Sequence, residues 1–309
     1  MRIRQRARRP GVGLYLFLAG ALAAPSWARG AEPSETIRAA FRASSEGLTS
    51  GTGKGRYRRY EAVNGDNWQL KVEADVSTHF DGSKYHIDLT FLHDNLRRNT
   101  SSRIICDGKL VTITWFSPDI HPLGAHTIVS APARFGDILC QPEDATFPWD
   151  VAHLSGHVWN GQRLIYDVDA GRIDFTEKPD GDLVGTNPIV INRSQIRMEC
   201  PRRFGFNIAR AEFSVAGEEH PRREYVLQWK QHPSGLWYLT SLQQIFELRS
   251  DLDKVVKRVR EVLMYSRFEP NARVESSLFT EESLQMPDGC RIIEIRPGEM
   301  SKERIYRKR

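Results

Sequence analysis

The sequence predicts a mainly antiparallel β fold of the α+β kind, led by one amphipathic helix and carrying a few short helices. Three observations predict it. Apolar residues repeat unambiguously at three- and four-residue spacing near residue 40. From about residue 56 the apolar period becomes two, the signature of half-buried strands. Turn pairs of Asn-Gly or Asp-Gly type recur between the alternating runs, as hairpins require.

In chain order, Ser34 is a fitting cap for a helix running to about Ser45. Ile37, Ala40, Phe41, Ser44 and Leu48 form its stripe, and Gly47 stops it. Arg56–Ala62 reads as a strand. It is joined through Asn64-Gly65-Asp66-Asn67 to a second, in which Trp68, Leu70, Val72, Ala74 and Val76 alternate with polar residues. Tyr85, Ile87, Leu89 and Phe91 alternate after the Asp81-Gly82 turn. Arg103–Cys106 and Leu110–Phe116 flank Asp107-Gly108. Residues 118–201 are read as an irregular insertion holding eight of the 16 prolines. Short helices are expected there at Arg134–Leu139 and Asp150–Leu154, and short strands at Arg163–Val168 and Arg172–Phe175. Strands return at Phe204–Val215, Glu224–Gln231 and Leu236–Leu248. Residues 254–268 fit both periods, with strand preferred for the second half. Phe279–Leu284, a Pro287-Asp288-Gly289 turn and Cys290–Ile295 end the domain. No internal repeat and no linker interrupts 31–300, which reads as one domain.

The first thirty residues read as an address. Arg2, Arg4, Arg6, Arg8 and Arg9 precede an apolar run from Val12 to Ala24, then Pro25 and small residues. That order is a secretory signal peptide, cleaved before Arg29 or before Ala31. The apolar run is about a dozen residues, short of the ~20 that span a bilayer. No later segment reaches spanning length, so no transmembrane segment is expected after cleavage. The expected location is the periplasm or the extracellular space. The charge must be reread accordingly. The whole chain carries 44 basic and 39 acidic residues, a net of +5. Six of the basic residues lie in the first thirty, so the remainder stands at −1. Residues 301–309 form a basic tail, expected to be solvated. The body without it is acidic, and nucleic acid is not an expected partner.

Export makes the four cysteines readable. Cys106, Cys140, Cys200 and Cys290 could form two disulfides in an oxidising compartment, each closing a long loop worth about 3–4 kcal/mol. The alternative is buried free thiols. No Cys-x-x-Cys motif occurs. Asp150, His153 and His157 would share one helix face and could hold a metal. Gly156 opposes that helix, and no Glu follows His153 as a zinc peptidase needs, so surface or capping histidines are preferred. His121 and His126 flank a Pro-Leu-Gly loop and are read the same way. Gly51-Thr52-Gly53-Lys54-Gly55 lacks the spacing of a phosphate loop and is read as a flexible connection. No Gly-x-Ser-x-Gly elbow is present. No catalytic residue and no cofactor is assigned, and the reading leans away from an enzyme. Arg56, Arg58 and Arg59 with Tyr57 and Tyr60 form a basic-aromatic cluster, as do Arg202 and Arg203 with Phe204 and Phe206. On strands, alternation is expected to put arginines out and aromatics in.

The order of signal peptide, one helix, long antiparallel hairpins and the closing stretch Leu278-Phe279-Thr280-Glu281-Glu282-Ser283-Leu284-Gln285-Met286-Pro287-Asp288-Gly289 resembles the LolA/LolB-like superfamily of exported lipoprotein carriers. It looks most like the longer secreted members. The resemblance covers residues 34–116 and 204–295. It implies a curved half-barrel sheet whose concave face accepts acyl chains. In that setting Trp68, Phe91, Trp115, Phe213 and Trp229, with Trp237, either pack a core or line a face for a lipid or other apolar ligand. An envelope protein bound at an exposed sheet face or edge is the other partner considered.

Overall fold

The computed structural model describes residues 32–62, 67–82, 84–95, 99–117, 124–130, 171–187, 194–218, 220–249, 255–295 and 301–308. The expected helices at 134–139 and 150–154, the strand at 163–168, and Cys140, Asp150, His153, His157 and His121 lie outside them. Helix α1 spans Pro33–Gly47. Fifteen strands follow among the described residues: β1 Ser50–Ala62, β2 Gln69–Asp81, β3 Lys84–Asp94, β4 Ser101–Cys106, β5 Val111–Phe116, β6 Ala125–Ser130, β7 Asp174–Glu177, β8 Leu183–Thr186, β9 Ser194–Cys200, β10 Arg210–Val215, β11 Arg223–Gln231, β12 Trp237–Arg249, β13 Val255–Pro270, β14 Arg291–Ile295 and β15 Lys302–Ile305. Short 3-10 turns occur at Arg202–Phe204, Ser276–Phe279 and Glu281–Leu284.

The strands form one sheet in the order β15-β14-β6-β5-β4-β3-β2-β1-β13-β12-β11-β10-β9-β8-β7. Its ends do not pair, so the sheet is an open, curved half-barrel. Every neighbouring pair is antiparallel except β6 with β14. Five register shifts interrupt the ladders, at Lys54/Gly55, Arg59/Tyr60, Glu73/Ala74, Gln228/Trp229 and Leu248/Arg249. Bulges of this kind bend and twist a strand, which is how a long sheet acquires curvature.

The two faces carry different cores. The larger cluster includes Tyr57, Val76, Phe80, Ile87, Ile104, Ile113, Met198, Leu227, Leu242 and Leu263 on what is here termed the inner face. Ile37 and Leu48 bring α1 onto it. A fully buried Ile side chain contributes about 1.5–3 kcal/mol. Ile105, Ala125, Val129, Leu284, Met286, Cys290, Ile292 and Tyr306 form a second cluster on the outer face.

Several expectations are corrected by this arrangement. The helix starts at Pro33, whose missing N–H suits the first helical position. Ser34 therefore sits inside the first turn, buried, and its hydroxyl caps nothing among the described residues. The helix end is held by Asn271, whose Nδ2 donates to the Gly47 carbonyl at 2.8 Å. The described parts of the 118–201 stretch are more regular than expected, since they supply β6 to β9. Residues 255–270 are strand throughout, because both neighbours, β1 and β12, pair along their length. Phe279–Leu284 forms 3-10 turns laid across the outer face. The basic tail supplies β15, and Tyr306 is buried in the second cluster.

Of the four cysteines that could form disulfides, three lie among the described residues and none of these three is bridged. Cys106, Cys200 and Cys290 are free and buried. Cys106 belongs to the inner cluster and Cys290 to the outer one, on opposite faces of the sheet. Cys200 lies on β9, eight strand positions from β4. Burial pushes the Cys200 thiol far up and the Cys106 thiol up as well, so neither is a ready thiolate.

The glycine-rich stretch is the first half of β1 rather than a flexible connection. Gly51, Gly53 and Gly55 face β2 and β13 in register. The rings of Phe80 and Tyr265 occupy the space that a Cβ would need at Gly51 and Gly53. At Gly55 the obstacle is backbone: an added Cβ would lie 2.2 Å from the Met264 carbonyl oxygen. Gly55→Ala is therefore expected to cost about 1–3 kcal/mol through forced strand separation. Urea unfolding reads the loss, and a midpoint equal to that of the parent chain would contradict the close β1–β13 approach.

Candidate functional site

The inner face is the candidate site. Four of the five aromatics expected to line it are brought together there. Trp115 is buried in the inner cluster, and Phe91, Phe213 and Trp229 pack against it while staying partly accessible. Trp229 is oriented by a 2.8 Å hydrogen bond from its Nε1 to the Ile208 carbonyl. Phe213 meets Tyr225 edge-on at 6.1 Å. Phe80, Tyr238 and Tyr265 gather around Phe268, at 6.3, 5.1 and 5.4 Å between ring centroids, beside the glycines of β1. Trp68 is elsewhere. It lies under the guanidinium groups of Arg258 and Arg260, at 5.6 and 4.9 Å, with Tyr60 beside Arg260 on the outer face. Trp237 packs against Phe204 and Gly205.

A row of polar residues crosses this apolar face. Arg59, Glu261, Gln244 and Tyr225 are successive cross-strand neighbours on β1, β13, β12 and β11. Arg59 is 2 % exposed, Glu261 0 % and Glu61 7 %. Arg59 donates from Nη2 to Glu61 Oε1 at 2.9 Å and from Nη1 to Glu261 Oε1 at 3.5 Å. The Tyr57 hydroxyl donates to the same Glu261 oxygen at 2.9 Å. Lys257 Nζ reaches Glu61 Oε2 at 3.1 Å. Beyond the row lies a separate apolar group, Phe246, Leu248 and Val259.

Burial alone would lower the Arg59 pKa, but the charges of Glu261 and Glu61 and the neighbouring Tyr57 outweigh it and hold it above its ordinary value. Burial likewise pushes Glu61 up, and Arg59 with Lys257 overcome this and hold its carboxyl below the usual range. Glu261 Oε2 is buried and has no hydrogen-bond partner among the described residues. A buried acceptor left unmade costs about 1–3 kcal/mol, and more when charged.

The alternation rule expected arginines out and aromatics in along β1. It holds for Arg56 and Arg58, which pair with Glu73 on the outer face at 3.2 and 2.7 Å, and for Tyr57. It fails one period later, where Arg59 points in and Tyr60 out. The period of two is kept and the chemistry is exchanged. Arg202 and Arg203 fall on an exposed 3-10 turn, with Arg203 over the Phe204 ring.

A second polar cluster lies on the outer face. A groove of about 400 Å³ between β3, β4 and the 276–286 segment is lined by His86, Asp88, Arg103 and Ser283, among others. His86 Nδ1 is 2.7 Å from the Leu278 carbonyl, and Nε2 is 3.1 Å from Asp88 Oδ1. Arg103 bridges Asp88 at 3.3 Å and the Leu284 carbonyl at 2.8 Å. Burial would raise the Asp88 carboxyl, but His86 and Arg103 hold it below its ordinary value. Ser283 Oγ stands 3.4 Å from His86 Nδ1, yet its own proton is directed to the Thr280 and Leu278 carbonyls at 2.7 and 2.8 Å. Both His86 nitrogens face acceptor oxygens, so neither is placed to take the serine proton. The cluster fastens the 276–286 segment to the sheet. Among the described residues no group of His, Cys, Asp and Glu is placed to hold a metal. The side chain of His126 is not described.

The Glu61 shift fixes a pH dependence. Its folded pKa lies below the ordinary 4.5, so its contribution to stability is present above that pH. The contribution is lost as pH falls through the folded value. Glu61→Gln should cost about 3–5 kcal/mol at neutral pH, because it breaks a buried pair. The gap between parent and variant should shrink as urea midpoints are followed below about pH 4. A gap constant across the acid range would contradict this assignment.

No protein-family model and no curated protein matches the sequence. Solved structures are similar in fold. A domain assigned to outer membrane lipoprotein sorting, from Vibrio parahaemolyticus, has 8 % identity and TM-score 0.45, covering 82 % of this chain and 97 % of its own. A DUF1329 family protein from Desulfovibrio piger has 11 % identity and TM-score 0.42, covering 82 % and 100 %. A LolA superfamily protein from Nitrosomonas europaea has 14 % identity and TM-score 0.40, covering 80 % and 99 %. Each is a likeness of fold alone.

Proposed function

We propose that the chain is an exported, non-enzymatic binding protein that holds a lipid or other apolar ligand on the inner face of its sheet. One observation carries the reading. The largest apolar cluster lies on one face of an open sheet and is edged by aromatics that remain partly accessible: Phe91, Phe175, Phe213 and Trp229. Burying such rings against an acyl chain is favourable at about 25 cal/mol per Å² of apolar surface removed from water. The charged N-terminal segment followed by a short apolar run supports export.

Protein isolated from its own envelope should carry a co-purifying lipid by native mass spectrometry. After delipidation it should take up a fluorescent fatty acid, and Trp229→Ala should weaken that uptake about tenfold, the effect of losing one large aromatic contact. A ligand-free protein that takes up no fatty acid would overturn the reading. The mature chain should begin at Arg29 or Ala31 by mass spectrometry of the intact exported protein. An N-terminus that retains residues 1–28 would remove the support for a cleaved signal.

A further inference from the structure

Resting on the reading of the inner face as a lipid site, we propose that Glu261 anchors the hydroxyl head of a neutral amphiphile whose chain lies along that face. Four observations carry this. Glu261 is fully buried, and its Oε1 is taken by Tyr57 and Arg59. Its Oε2 is an acceptor without a partner among the described residues. The other buried side-chain atoms without partners there are neutral hydroxyls, amide or indole nitrogens and arginine nitrogens, so Glu261 offers the one anionic acceptor of the set. Its place is between the inner cluster and the Phe246, Leu248 and Val259 group, so a head at Oε2 has apolar surface on two sides for a chain. Gln244, its neighbour on β12, adds an amide that can both donate and accept.

The charge balance of the row selects among heads. Arg59 and Lys257 match Glu61 and Glu261 one for one. An ammonium head would add an uncompensated positive charge to a buried, balanced row. A carboxylate head would meet Glu261 with like charge. An alcohol supplies the O–H that Oε2 needs and adds no charge.

The test uses the full mature chain loaded with N-phenyl-1-naphthylamine, an uncharged fluorescent apolar probe, and displaced by dodecan-1-ol, its methyl ether, dodecanoate or dodecylamine. The alcohol should displace the probe at least tenfold more effectively than the ether, which has the same chain but no donor. It should also surpass the acid and the amine. Glu261→Gln alone would leave Arg59 short of a charged partner and endanger the fold. The double variant Arg59→Met with Glu261→Leu instead exchanges the pair for apolar residues of similar size. In that variant the preference of alcohol over ether should vanish, while ether displacement persists. Equal displacement by alcohol and ether in the parent chain would overturn the head assignment and leave the lipid reading standing. A better result for the acid or the amine would overturn it as well, and so would a preference for the alcohol that survives in the double variant. A probe that never binds would instead remove the lipid reading itself.

Discussion

The sheet depends on a single seam. Strands β2 to β6 with β14 and β15 lie on one side, β7 to β12 on the other, and β1 with β13 joins them. The partners in that seam are about two hundred residues apart, as in the pair Gly51 and Pro270. The two halves of the sheet are not joined without it. Closing so long a loop has an entropic cost that local hairpins escape, so the seam must carry strong interactions. It does. Gly51 and Gly53 let rings from β2 and β13 lie over β1, and Gly55 lets the β13 backbone approach closely. Asn271, just after β13, holds the end of α1 through Gly47 and the start of β1 through Thr49. Arg59 with Glu261, Tyr57 with Glu261, and Lys257 with Glu61 cross the same seam.

Charges are an expensive way to fasten two strands. An apolar pair of similar volume is often as stable as a buried ion pair, or more so. What a charged pair gives in addition is register. A one-residue slip of β13 on β1 would turn Glu261 outward and take from Arg59 the carboxylate it meets across the seam. The opposite slip of β1 would bury Tyr60 and expel Arg59. The row thus selects one alignment among several that the apolar pattern alone permits. That role explains the matched charges. It does not account for Glu261 Oε2, whose satisfaction the seam leaves open.

The alternating pattern made most strands legible from β2 to β5 and from β11 to β12. Periodicity there coincides with burial on one face, which is the condition under which it is informative. It was misleading at two places for the same physical reason. At Gly51–Gly55 the inward phase carries no side chain, because aromatic rings from neighbouring strands fill it, so the strand left no apolar trace. At Arg59, Glu61 and Glu261 the inward phase is charged. The signal was nevertheless present: Glu261 stands in phase with Val259 and Leu263, and Arg59 with Tyr57. Opposite charges on the apolar phases of two strands were a pairing clue, readable only once those strands were known to be neighbours. The cysteines needed geometry as well as compartment. Cys106 and Cys290 lie on opposite faces, and no composition argument could show that.

The two faces of the sheet are finished differently, and this separates structure from function. On the outer face the 276–286 segment closes the second cluster. His86 meets the Leu278 carbonyl and Asp88, and Arg103 meets Asp88 and the Leu284 carbonyl. The Ser283 hydroxyl is likewise directed to backbone carbonyls. A polar cluster satisfied in this way rigidifies what it touches and leaves little for a substrate to bind. On the inner face the same chain leaves an anionic acceptor unsatisfied between two apolar groups, with aromatics partly open at the margin. Natural folds tolerate such a local deficit mainly where a site needs it. The asymmetry places the outer groove in holding the 276–286 segment on the sheet, and it agrees with the binding proposed for the inner face.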